Sequence, residues 1–157
     1  MIALRKMRSD EFQGYVDIFI PDYAEEISSN YDLDIQTATK QAEQSVSEEL
    51  KLGVETPDQL LLCIIGIADT SNTPLGYLWC QPNRKNQTIF ISDFCILPSH
   101  RGKGLGRLAL TALDEWFAKT EFTEIRLRVA ADNKIAEKLY LSSGYAPTGI
   151  NMRKAIP

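Results

Sequence analysis

The chain has 157 residues, a formal net charge of −4, 44% hydrophobic residues and 24% charged residues. This is the make-up of one soluble domain over residues 1–157, since domains commonly run to about 100–150 residues and a chain this long buries roughly two-thirds of its unfolded surface. Collagen-like and disordered compositions are excluded, and the acidic balance argues against a general nucleic-acid binder.

No apolar run approaches the ~18 residues of a membrane span, the longest being the strand-sized stretch 60–68. The first residues lack the apolar core of a signal peptide, which gives a cytoplasmic expectation. Cys63, Cys80 and Cys95 sit in apolar runs, no C-x-x-C pair occurs, and His100 is the single histidine. They are expected to be reduced, buried thiols, with neither a disulfide set nor a metal site.

Charge is unevenly spread. From Asp10 to Leu60 thirteen acidic residues face two lysines, a local charge of −11; from Arg84 onward twelve basic and seven acidic residues give +5. Two ligands of opposite charge, or simply a solvated face, are both compatible with that split.

In chain order, residues 2–7 predict a short strand. Ser9 offers a helix cap with Asp10 and Glu11 in the first turn, and Phe12, Tyr15, Val16 and Phe19 follow at helical spacing until Pro21 ends or kinks the helix. Asp34 caps a second helix with Ile35, Ala38, Ala42, Val46 and Leu50 on one stripe, stopped near Gly53. Three strands follow over 60–68, 75–81 and 88–97. A helix from Lys103 carries Leu105, Leu108, Ala109, Ala112, Leu113, Trp116 and Phe117 on one wide face. Residues 124–130 alternate as a strand, 133–143 form a short helix before Gly144, and 145–156 return as a strand. The order β-α-α-β-β-β-α-β-α-β gives an α/β fold, one mixed sheet with helices on both faces.

After Pro98 comes Ser99-His100-Arg101-Gly102-Lys103-Gly104-Leu105-Gly106-Arg107. Alternate glycines at a helix start bring backbone N–H groups close to a ligand, in a field worth ~0.3–1 kcal/mol per neighbouring anion, with three cations alongside. That is a phosphate cradle. The spacing is wrong for a Walker loop. Gly104-Leu105-Gly106-Arg107-Leu108-Ala109 matches G-x-G-x-x-A, but a charged stretch separates it from the strand and too little chain follows for a dinucleotide fold.

Arg101 to Gly106 resembles the [QR]-x-x-G-x-[GA] acyl-CoA pyrophosphate loop of the GNAT N-acetyltransferase superfamily. The preceding Ile91-Ser92-Asp93-Phe94-Cys95-Ile96-Leu97-Pro98 resembles its central strand, and Asn133 to Tyr145 its N-x-x-A-x-x-L-Y-x-x-x-G-[FY] helix. The two blocks keep the family's order and spacing over more than a third of the chain. The resemblance implies a GNAT-like fold and acetyl-CoA as acetyl donor. Its pyrophosphate would lie on the N–H groups of Gly102, Lys103, Gly104, Leu105, Gly106 and Arg107, with Arg101 beside them. Its pantetheine arm would lie along Cys95, Ile96 and Leu97, with Asn133 contacting it or capping its helix. Cys95 is read as a strand residue, not as a covalent acetyl carrier.

Direct transfer needs a neutral amine, and freeing the lone pair of an alkylamine of pKa ~10.4 at neutral pH costs about 4 kcal/mol. Asp93, a carboxylate in an apolar strand, is the candidate base or amine ligand, though a partner in nearby backbone, Arg126 or Arg128 would account for it as well. Tyr140, placed by the resemblance to face the sulfur, is the candidate acid for the departing thiolate, with plain aromatic packing as the alternative. The acidic half suits a cationic small-molecule amine. A peptide or protein amine as acceptor, or a silent acyl-CoA-binding regulatory module, stays open, as does a homodimer.

Overall fold

The computed structural model describes residues 1–157. Five strands line up in chain order: β1 (Ile2–Lys6), β2 (Leu60–Gly66), β3 (Pro74–Asn83), β4 (Thr88–Ile96) and β5 (Glu124–Leu127). The first four pair antiparallel, whereas β4 and β5 run parallel. A parallel pair needs a crossover, and the sequence supplies it as α3 (Leu105–Phe117), whose apolar stripe buries Ala109, Leu110, Leu113 and Phe117. On that face the core joins Leu62, Ile64, Leu78, Ile89 and Ile91 to α3. On the other face α1 (Phe12–Tyr31) lays Tyr15 and Phe19 against Cys63, Tyr77 and Trp79, and α2 (Ile35–Glu49) packs on α1 through Ala38 and Ala42. All three thiols stay free, Cys63 and Cys80 buried and Cys95 half-buried.

Three sequence expectations change. Pro21 neither ends nor delimits α1, which continues to Tyr31. An interior proline costs about 3 kcal/mol, but the buried stripe Tyr15, Val16, Phe19, Ala24, Ile27 runs straight across it, and each large apolar side chain returns ~1.5–3 kcal/mol. The acidic link is therefore mostly helix. The strand expected over 124–130 stops at Leu127, where Arg128 turns toward α1 and its guanidinium meets Glu26 at 3.7 Å. The strand expected over 145–156 is not formed: α4 (Lys134–Ser142) is closed by turns through Tyr145, and from 146 onward the chain is exposed and unpaired. Alternation of apolar residues supplies a strand's faces but not its hydrogen-bonding partner. No helix is long and apolar enough to cross a membrane.

Candidate active site

The register between β3 and β4 sets the site. Trp79 opposes Asp93 but Cys80 opposes Ile91, so Ser92 is a bulge residue. Bulges re-aim side chains beside active sites. Past Ile91 the ladder with β5 ends, leaving the stretch from Asp93 to Ile96 paired to β3 alone. The V between β4 and β5 is thus bordered by a strand with one free edge.

Asp93 lies at the bulge on the α1 face. Tyr15, fully buried on α1, donates its hydroxyl to Asp93 Oδ2 at 2.8 Å. Burial raises the Asp93 carboxyl, the Tyr15 bond lowers it, and the charges of Asp22 and Glu26 raise it, for a value of about 6. Neither Arg126 nor Arg128 pairs with it: Arg126 holds Glu124 at 2.9 Å and Arg128 holds Glu26. A carboxylate poised near neutrality is suited to proton transfer. Beside it, a cleft of about 160 Å³ opens between α1, α2 and the sheet, lined among others by Phe19, Tyr23, Glu49, Phe90 and Ser92. The Ser92 hydroxyl is buried there without a partner.

Tyr140 comes from the opposite face. α4 packs it against the α3-side core, 6.4 Å between ring centroids from Phe94 and 5.6 Å from Tyr145. Burial, then the charges of Asp93 and Glu26, push its phenol up to about 12, so the proton stays on the oxygen. The Asp93 charge acts on Tyr140 although the two belong to opposite sides of the sheet. Asn133 caps α4, its Oδ1 accepting from the Ala136 N–H at 3.1 Å. Cys95 points into the α1-side core and burial drives its thiol up to about 12, which leaves it inert as a nucleophile.

The glycine loop follows β4 directly through the 3₁₀ turn Pro98–His100. Gly102 and Gly104 adopt φ of +73° and +77°, and Gly104 is the N-cap of α3. None of the backbone N–H groups from Gly102 to Arg107 has an acceptor within the chain. Six free donors at a helix start, with cationic side chains around them, fit a diphosphate. Gly106 also lies close to α4: a Cβ there would sit 2.9 Å from Leu139 Cδ2 and would make that leucine side chain shift. Arg101 donates through Nε to the Ile96 carbonyl at 2.8 Å, tying the loop to the end of β4, and Arg107 reaches Ser142 Oγ at 3.0 Å. Leu97 is held to β3 by its N–H on the Leu75 carbonyl at 2.9 Å. Lys103 bonds only the Ser99 carbonyl at 3.3 Å and is exposed.

A five-stranded mixed sheet with a splayed β4/β5 pair and a free N–H cradle at its mouth is the frame of a known transferase family, and the family's sequence model, "Acetyltransferase (GNAT) family", matches residues 12–145. The chain belongs to that family. As a GNAT protein it is an acetyl-CoA-dependent N-acetyltransferase. It is 31% identical over 157 residues to the uncharacterized N-acetyltransferase YycN of Bacillus subtilis (strain 168), covering 99% of each chain, and 28% identical to YdgE of the same organism, covering 98% of each. The crystal structure of YycN superposes with a TM-score of 0.91 over 100% of this chain and 99% of its own. Spermidine N-acetyltransferase from Vibrio cholerae, solved with CoA and spermine, shares the fold at TM-score 0.66 and 19% identity, over 94% of this chain and 82% of its own.

Sequence reasoning does not find Tyr15 or the Ser92 bulge beside Asp93, and it offers Arg128 as a partner of Asp93, whereas Arg128 holds Glu26. Tyr15 stands on an apolar helical stripe and reads as core. Its hydroxyl, which a buried tyrosine has to satisfy, is the available signal.

Proposed function

We propose that this GNAT enzyme acetylates the primary amine of a cationic small molecule by direct transfer, with Asp93 as general base and Tyr140 as general acid. The observation that carries this is Asp93 itself: a half-buried carboxylate next to the bulge residue Ser92 in β4, hydrogen-bonded by Tyr15 of α1, while Ser92 lines the aromatic-walled cleft. The donor supplies an activated acetyl group and a thiol leaving group. Its diphosphate suits the six N–H groups from Gly102 to Arg107, and the free edge of β4 at Phe94–Ile96 suits an extended amide-bearing arm.

This chain's residues then handle protons and charge. Asp22 and Glu49 draw a cation to the α1 face, where Phe19, Tyr23 and Phe90 line the cleft. Asp93 takes the proton that the attacking nitrogen sheds as its bond to the acetyl carbon forms. Tyr140 keeps its proton until the carbon–sulfur bond breaks and then gives it to the sulfur. The spermine complex of the Vibrio enzyme is in keeping with a cationic acceptor on this fold.

Thiol release from acetyl-CoA across a panel of cationic, neutral and anionic amines and short peptides tests the reading. Cationic small amines are expected to turn over fastest, with a preference that shrinks as salt screens charges beyond ~8 Å. Equal rates for anionic and cationic amines would remove the acceptor assignment, and turnover confined to peptides would replace it with the peptide reading.

A further inference from the structure

α1 bridges the gap between β4 and β5 on its own side of the sheet. Near its start Tyr15 donates to Asp93 of β4 at 2.8 Å. Its later turns meet the chain just past β5 through Glu26, 3.7 Å from Arg128, and through the Tyr31 hydroxyl, which accepts from Arg128 Nη2 at 3.4 Å. Ser29 adds a bond to Asp132 Oδ2 at 3.0 Å. Tyr15, Asp22 and Glu26 follow at steps of seven and four residues, so the three lie on one line of the helix. That line leads from Asp93 to Arg128.

Charge along it is unequal. Asp22, Glu26 and Asp132 are acids, and Arg128 is ion-paired with Glu26 alone. The pair is loose, 3.7 Å apart with side chains 43% and 41% exposed. Water competes for both partners of such a pair, which therefore adds little stability. Glu26 nonetheless favours having a cation at hand, since burial raises its carboxyl and Arg128 lowers it. Its charge also acts on the Asp93 carboxyl and the Tyr140 phenol, so it stands within electrostatic reach of both groups of the proposed mechanism.

We propose that Glu26 is a specificity-determining residue that binds a second cationic group of the acceptor, and that Arg128 holds this carboxylate until the acceptor displaces it. The inference rests on the cationic-acceptor reading and adds which carboxylate reads the second charge. With one nitrogen at Asp93, an acceptor extended along α1 brings its other ammonium to Glu26. Exchange of one cation for another keeps the half-buried carboxylate paired, so no charge is stranded. The released guanidinium goes to water on its long apolar stem. A neutral or anionic tail cannot displace Arg128, and the resting pair thus works against such acceptors.

The test compares acetyl transfer to diaminobutane and diaminohexane with transfer to butylamine and hexylamine, the monoamines of equal chain length. The wild type is expected to favour the diamines. Glu26→Gln is expected to raise the diamine KM about tenfold, the lower end for a contact to a charged group, while the monoamine KM stays near wild type. Arg128→Gln is expected to act in the opposite direction, lowering the diamine KM because Glu26 is then unoccupied. The double variant is expected to match Glu26→Gln. A pair that only clasps α1 to the chain past β5 would shift the diamine KM the same way in both single variants, and that result overturns the proposal. Glu26→Asp keeps the charge and is expected to keep most of the diamine preference. Equal loss in Glu26→Asp and Glu26→Gln would assign the effect to packing and overturn it too. A diamine preference that survives in Glu26→Gln defeats this inference alone, whereas a wild type indifferent to the second ammonium defeats the cationic-acceptor reading with it.

Discussion

Asp93 sits under opposing influences whose balance decides its chemistry. Burial and the neighbouring Asp22 and Glu26 favour its neutral form, and the Tyr15 hydroxyl favours its anion, leaving it at about 6. A base at that value is ionised in most molecules at neutral pH and fails as the pH falls through 6, so the rate is expected to drop on that acid limb. Tyr15→Phe keeps the ring in its stack against Phe19 and Tyr77 but deletes the bond. Losing a bond to the anion raises the Asp93 value, so the acid limb moves to higher pH. A bond to a charged group is worth ~1.5–3 kcal/mol, equivalent to about one to two pH units. The kcat/KM–pH profile of the variant checks this, and an unmoved limb in a normally folded variant would mean that Tyr15 serves packing alone.

At the scale of elements, β4 joins the two halves of the site. In the proposed function its free edge and glycine loop serve the donor, and its bulge presents Asp93 to the acceptor. The loop's demand on sequence is conformational. Nothing lies within 4 Å of a Cβ built on Gly104, yet its φ of +77° is one that branched side chains avoid. Gly104→Val is expected to shift the helix start and weaken acetyl-CoA binding at least tenfold, with a smaller effect on thermal stability, since the site is exposed; titration calorimetry at unchanged affinity would contradict the cradle.

This loop is readable from the sequence because glycines at alternate positions before an amphipathic helix have few other uses. So is the capping by Asp34 and Asn133, where a short polar side chain accepts from a specific N–H. The through-running α1 is not, because a proline's local penalty is visible in sequence while the burial that outweighs it is tertiary. Nor is the bulge at Ser92, a mismatch between two strands that neither strand shows alone.

Across the whole molecule the uneven charge resolves into geography. The acidic segment forms α1 and α2 on one face of the sheet, and the cations of the glycine loop stand at the mouth of the β4/β5 gap. Part of the acidic excess is already matched, since Arg128 holds Glu26. Asp93 bonds to Tyr15 on the α1 side of the sheet, and Tyr140 packs with the α3-side core. The proposed mechanism requires those two groups to act at one reaction centre. The direct measurement is kcat across pH for Asp93→Asn and Tyr140→Phe on one good acceptor, under conditions where chemistry limits turnover. Asp93→Asn is expected to lose most rate near neutrality and recover toward the amine's own pKa. Tyr140→Phe is expected to fall by ~10²–10⁴ with acetyl-CoA affinity retained, the lower end favoured because a thiolate already leaves well. Wild-type kcat in Tyr140→Phe, together with a pH-independent deficit in Asp93→Asn, would contradict the mechanism.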